Sequence, residues 1–255
     1  KPISEKTLGW LGSNLNSICK KFGLGLIPKA ARNLGTKSAS LDSNNYSKKV
    51  LSTIAFALLT DRKILLNQYQ DKTLFDSQRR VAFDRLMCNA VFLTIYYLGT
   101  GQTETLNMFL DDVWVCKNTG SSRIIIEGFK TRGNTIETRS FTPRATCKHF
   151  FESHIELSKT HSTFLGLDKH YLFRKTNGEI PNGRNLLNYA QDYLVKNSER
   201  IQKLIAENPD FKLNSNLLKS SIKQLAEQQM GRTKAAQNTR NATSTYDNAN
   251  YGKVS

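Results

Sequence analysis

The chain has 255 residues, 38% of them hydrophobic, which is enough for a packed core in one large domain or a domain with an appendage. Its 37 Lys and Arg against 21 Asp and Glu give a formal charge of +16, a balance that names a polyanion as partner, nucleic acid first. Four scattered cysteines, Cys19, Cys88, Cys116 and Cys147, form no Cys-x-x-Cys pair and have no histidine at ligand spacing, so a metal centre is not expected; with no signal peptide they read as reduced cytosolic thiols.

Residues 1–45 are punctuated by Pro2, Gly9, Gly12, Gly23, Gly25, Pro28 and Gly35, and read as a separate N-terminal helical extension with a linker. Within it, Leu8, Leu11, Leu15, Ile18 and Phe22 make an apolar stripe at helical spacing. Residues 46–255 read as the main domain. From Ser47 the period is helical through Val50, Ile54, Leu58, Ile64 to Leu66 and Tyr69, and the basic residues Lys48, Lys49, Arg62, Lys63, Arg79, Arg80 and Arg85 read as a solvated face. Asp76 is the expected cap of a second helix leading into Val91–Leu98, which is too apolar to be solvated. Gly99 and Gly101 interrupt the period. Thr103 then caps a further helix, with Leu106 and Leu110 on one face and Asp111-Asp112 at its end.

After Asp112 the pattern changes to strands. Three short apolar or alternating runs at Val113–Val115, Ser122–Ile126 and Thr135–Phe141 predict an antiparallel meander. Between Lys117 and Lys148 there are seven basic residues and two acidic ones, Glu127 and Glu137, so this hairpin carries +5 and suits phosphate. Pro143 opens another helix. His149, His154 and His161 do not share one face of it, and read as surface or half-buried histidines rather than ligands. Helices over Asn182–Val195 and Ser198–Ile205 precede a turn at Asn208-Pro209-Asp210.

The stretch from Val91 through Leu98, Gly99, Gly101 and Glu104 to Asp112 resembles the first signature box of the tyrosine recombinase (phage integrase) family. There an apolar helix runs into Thr-Gly-x-Arg-x-x-Glu and ends in an acidic dipeptide. The resemblance covers residues 47–255 and implies an α+β, mostly helical catalytic domain with a small three-stranded antiparallel sheet. Laid on without gaps, Gly99 matches the glycine, Glu104 the glutamate and Asp112 the closing aspartate, while Gly101 stands where the catalytic arginine belongs. Lys130 matches the hairpin lysine that reaches the minor groove. Asn216-Leu217-Leu218-Lys219 matches the second box, with Asn for His and Lys for Arg. Tyr251, 32 residues beyond Lys219, matches the nucleophile, with Ala242 in place of the preceding His or Trp and Tyr246 as the competing tyrosine. Residues 1–35 would be either the end of a core-binding domain or a docked extension.

By that resemblance the catalytic positions are Tyr251, Lys130, Lys219 and Asn216, and the DNA-binding residues are Lys130, Arg132, Arg139, Lys219, Arg232, Lys234 and Arg240. The partner is double-stranded DNA, with a second copy of the chain on the same DNA. No cofactor, metal or membrane is implied, and the location is cytoplasmic, on the nucleoid or other DNA, in recombination, integration or a mobile element. Two arginines normally bind the nonbridging oxygens of the phosphate under attack. Losing one such donor costs about 10²–10³ in rate, and Lys219 keeps the charge without the planar fork. Three functions follow: a DNA-binding regulator or accessory factor on a degenerate recombinase fold, a divergent active recombinase, or a basic helical scaffold for RNA or protein.

Overall fold

The structure is a computed structural model that describes Lys21 and residues 45–116, 123–130, 136–141, 145–165 and 170–230. Residues Asn45–Thr243 form one compact unit. Its core is two long helices, α1 (Lys48–Gln70) and α2 (Asp76–Leu98), packed on each other. Ser47 starts α1 by accepting the Val50 N–H on its hydroxyl at 3.3 Å. Leu51, Ile54, Leu58 and Leu65 then recur at helical spacing and are buried. Helix α2 begins after Phe75, whose N–H is accepted by the Gln78 carboxamide at 3.1 Å, so Asp76 is its first residue and not its cap.

Every residue of α2 from Met87 to Ile95 is buried. The helix has the length and apolar composition to cross a membrane, yet 72% of that window is buried inside the fold. It ends because Gly99 takes φ 63°, returning its N–H to the Ile95 carbonyl at 2.9 Å. A side chain is strained in that conformation, so Gly99→Ala should cost about 1–2 kcal/mol. The check is a lowered urea midpoint at unchanged slope.

The next helix, α3 (Gln102–Leu106), is shorter than the sequence pattern implies, and Leu110 is not on it. The chain leaves the helix because a distant segment takes its backbone groups. The Met108 carbonyl accepts the Leu172 N–H at 2.9 Å, and Leu110 donates to the His170 carbonyl at 2.6 Å. Phe109 bridges and stacks on Tyr171, with ring centroids 4.6 Å apart. Gly101 precedes α3 as its cap residue, and Thr103 lies inside it.

Strands β1 (Val113–Cys116), β2 (Arg123–Lys130) and β3 (Ile136–Phe141) pair antiparallel in sequence order. Val113 faces Ile126 and Ile124 faces Phe141, with an irregularity between Ile126 and Phe129. Helix α4 (Ala145–Leu165) follows. Then come α5 (Gly183–Leu187), a π-helical segment (Asn188–Tyr193), α6 (Leu194–Asn197), α7 (Glu199–Glu207) and α8 (Ser215–Met230).

Two expectations fail here because the core is wider than periodicity alone suggests. Arg62 is not on the solvated face. It is 6% exposed, its guanidinium lies 4.8 Å over the Phe150 ring, and burial lowers its pKa to about 10. His154 is fully buried, stacked between Phe150 and Phe173, and His161 is buried against Phe83.

Burial, with Arg62 nearby, holds His154 well below the ordinary histidine value. Its folded pKa is depressed, so below pH ~6.5 the unfolded chain takes up a proton that the folded chain refuses, and stability falls with pH there. The melting temperature should therefore drop from pH 6.5 to 5.5. The loss is up to about 1.4 kcal/mol per pH unit for one such histidine, and it should shrink in His154→Phe.

A buried polar node ties three elements together. Tyr189 donates its hydroxyl to Asp61, while Asn89 donates to the Tyr189 hydroxyl at 2.8 Å and to the Leu58 carbonyl at 2.8 Å. Burial raises the Asp61 pKa and pushes that of Tyr189 well above its usual value, so this node acts through hydrogen bonds and fixes α1, α2 and the π segment in one register.

Candidate functional site

The turn between α2 and α3 meets the start of α8, and the meeting point is Gly101. Its backbone is ordinary extended chain, with φ −78° and ψ 159°, so the absence of a side chain is about space and not conformation. A Cβ added there would stand 2.9 Å from the Lys219 Nζ and 3.0 Å from the Glu104 Oε2. The Lys219 ammonium thus fills the room that a residue-101 side chain would need.

Helix α8 places that ammonium. Asn214 starts the helix by accepting the Asn216 and Leu217 N–H groups at 2.8 and 3.2 Å, and Leu218 is fully buried one position before Lys219. Tyr46 clasps the same start. Its backbone N–H donates to the Ser221 hydroxyl at 2.8 Å, and its own hydroxyl accepts the Asn214 N–H at 3.1 Å and donates to the Lys212 carbonyl. Burial pushes the Tyr46 phenol up to about 12, so it stays a neutral donor. From the α3 side, Gln102 accepts the Ser215 hydroxyl at 2.8 Å.

Glu104 completes the arrangement. Its carboxylate accepts the Gly101 N–H and lies 3.2 Å from the Lys219 Nζ. The two side chains are only 18% and 20% exposed, so this ion pair is partly desolvated and stronger than an exposed one. Among the described residues, the Lys219 ammonium is engaged by the Glu104 carboxylate. A phosphate oxygen approaching Lys219 would meet an ammonium already engaged by a carboxylate.

Of the residues that the sequence nominated, the structure brings Gly101, Glu104 and Lys219 together. Asn216 is exposed on the first turn of α8, three residues before Lys219. Lys130 closes β2 with its backbone opposite Ile136, and Arg139 lies in β3 opposite Ile126. Arg132, Arg232, Lys234, Arg240, Ala242, Tyr246 and Tyr251 lie outside the described residues. Sequence reading missed Gln102 and Ser215, which join α3 to α8, and the pairing of Glu104 with Lys219. Only the Gly101-x-x-Glu104 spacing, a capping-box pattern, hinted that Glu104 would turn back onto residue 101. No cluster able to hold a metal is present among the described residues.

No protein-family model and no curated protein matches the sequence. Solved structures do match. The XerH site-specific recombinase bound to difH substrate in a pre-cleavage complex superposes over 99% of this chain, with TM-score 0.56 at 13% identity. The XerH post-cleavage complex on palindromic difH covers 83% of the chain, with TM-score 0.53 at 12% identity.

The fold is that of a tyrosine-recombinase catalytic domain.

The chain spans 67% and 49% of those two longer chains. What is shared is architecture.

Proposed function

We propose that the protein binds duplex DNA through a tyrosine-recombinase fold whose strand-cleaving capacity is weak or lost, and that it acts as a regulator or accessory factor on DNA. The observation that carries this reading is the Gly101 site. Where two guanidiniums would converge on a phosphate, the chain has no side chain at 101, and Lys219, which stands in that space, is paired to Glu104 at 3.2 Å. Support for DNA as the polyanion comes from the +16 charge and from the DNA-bound state of the XerH structures with the same fold.

A divergent active recombinase is the second reading. It is favoured by the position of Lys219, whose ammonium occupies the place of a residue-101 side chain and so keeps one cation there. In either reading Lys130 belongs to the DNA face. Lys130→Ala should weaken duplex binding in fluorescence anisotropy while shifting stability by less than about 0.5 kcal/mol. Equal affinity in variant and parent would remove Lys130 from the interface. No binding of the parent to a mixed-sequence duplex, even at low salt, would overturn the proposal itself.

A further inference from the structure

A second site lies away from Gly101. Helix α2 and the helical run α5, π segment and α6 line a cleft of about 580 Å³, to which Lys175 also contributes. That volume falls in the usual range for small-molecule sites, about 300–1,000 Å³. None of Gly101, Glu104 and Lys219 lines it. We propose that this cleft binds a small organic oxyanion, a carboxylate or a phosphate monoester.

The cations carry the argument. Arg85 lies with its guanidinium 4.1 Å over the Tyr193 ring, which fixes one face of the fork, and it makes no hydrogen bond among the described residues. A half-buried guanidinium with its edge donors unused is suited to a planar oxyanion. Lys175 is 9% exposed, and its ammonium pairs at 3.2 Å with Glu179, a side chain that is itself 70% exposed and well solvated. Arg85 and Lys175 therefore both line the cleft with donors to spare.

Lys196 also lines the cleft, so three cations stand against two acids, Asp84 and Asp192, and the lining keeps a net positive charge. Asp84 already accepts the Thr176 N–H and hydroxyl at 2.8 and 3.0 Å, and Asp192 sits exposed at the rim. Val81, 47% exposed, gives the cleft an apolar flank, which favours an organic ligand over a bare inorganic ion.

The wall is built in advance. Tyr189 hydrogen-bonds Asp61 from the π segment and stacks on Tyr193 with ring centroids 5.9 Å apart, so the shelf under Arg85 is held by the buried node. π-helical turns are rare, and they occur disproportionately at functional sites.

The test is thermal unfolding of the full chain with citrate, inorganic phosphate or adenosine monophosphate, each matched to sodium chloride of equal ionic strength. A saturable rise in melting temperature with citrate or adenosine monophosphate is expected, about 5–10 °C at a hundredfold excess over Kd. Arg85→Gln should abolish the rise, whereas Lys212→Gln, at an exposed lysine in the loop before α8, should keep it. If Arg85→Gln fails to fold, Arg85→Lys takes its place and should shift the half-saturating concentration upward at least tenfold. A rise that does not saturate, or that is equal in the Arg85 variants and the parent, is charge screening and overturns the site. A rise abolished by a short duplex in excess would make the cleft part of the DNA surface and overturn the small-ligand reading.

Discussion

Raising the salt from 50 to 200 mM should weaken duplex binding by about 10³–10⁵-fold if the protein contacts 6–10 phosphates, with log K linear in log salt. The expectation rests on the +16 charge of the chain, since each lysine or arginine that neutralises a phosphate releases condensed counterions. It also fits the site. Lys219 is already engaged by Glu104, so contacts spread over the surface, each releasing counterions, are the expected source of affinity. The measurement is anisotropy of a labelled mixed-sequence duplex at several salt concentrations. A flat salt response would mean that phosphate contacts do not dominate, and it would return the basic scaffold for RNA or protein to first place.

The parent protein should form little or no covalent adduct with DNA. A phenol attacking a phosphodiester must lose a proton of pKa ~10 and add charge to a group that is already anionic, so the reaction depends on fixed donors around the phosphate. Each missing donor costs about 10²–10³ in rate. At Gly101 the guanidinium is absent, and the remaining ammonium is shared with Glu104.

The experiment uses cognate DNA selected from random duplexes, nicked near the site so that a cleaved product is trapped, and read on a denaturing gel. A shifted band in the parent that is lost in Tyr251→Phe would overturn the inactive reading. A band lost only in Tyr246→Phe would move the nucleophile to that residue. Gly101→Arg gives the complementary arm. A Cβ at 101 presses on the far end of a flexible lysine at 2.9 Å, which can swing aside, so the variant should fold and bind phosphate more tightly than the parent.

Much of this was legible in the residues themselves. The run Val91–Leu98 could only be core, and Gly99 could only be its end, because apolar content and a left-handed cap are local properties. The strand meander and the later helices were also written in period. What periodicity cannot show is who takes a backbone group from far away. Leu110 has the spacing of a helical residue, and loses the helix to His170 and Tyr171, some sixty positions on. Arg62 and His154 look like surface residues by type; in the fold both are buried against the Phe150 ring. At the site, the sequence could mark Gly101 as a missing arginine. That Lys219 stands in the vacated space is a fact about two segments more than a hundred residues apart.

Tyr46 sets a practical limit on where the domain can be cut. A fragment begun at Ser47 would retain all of α1 and every residue of the Gly101 site, and by secondary structure it would look complete. It would nonetheless release the Asn214 N–H, the Lys212 carbonyl and the Ser221 hydroxyl at once, at the foot of the helix that aims Lys219. Such a fragment should fold with a frayed α8, and a weak affinity measured on it would report the cut and not the protein.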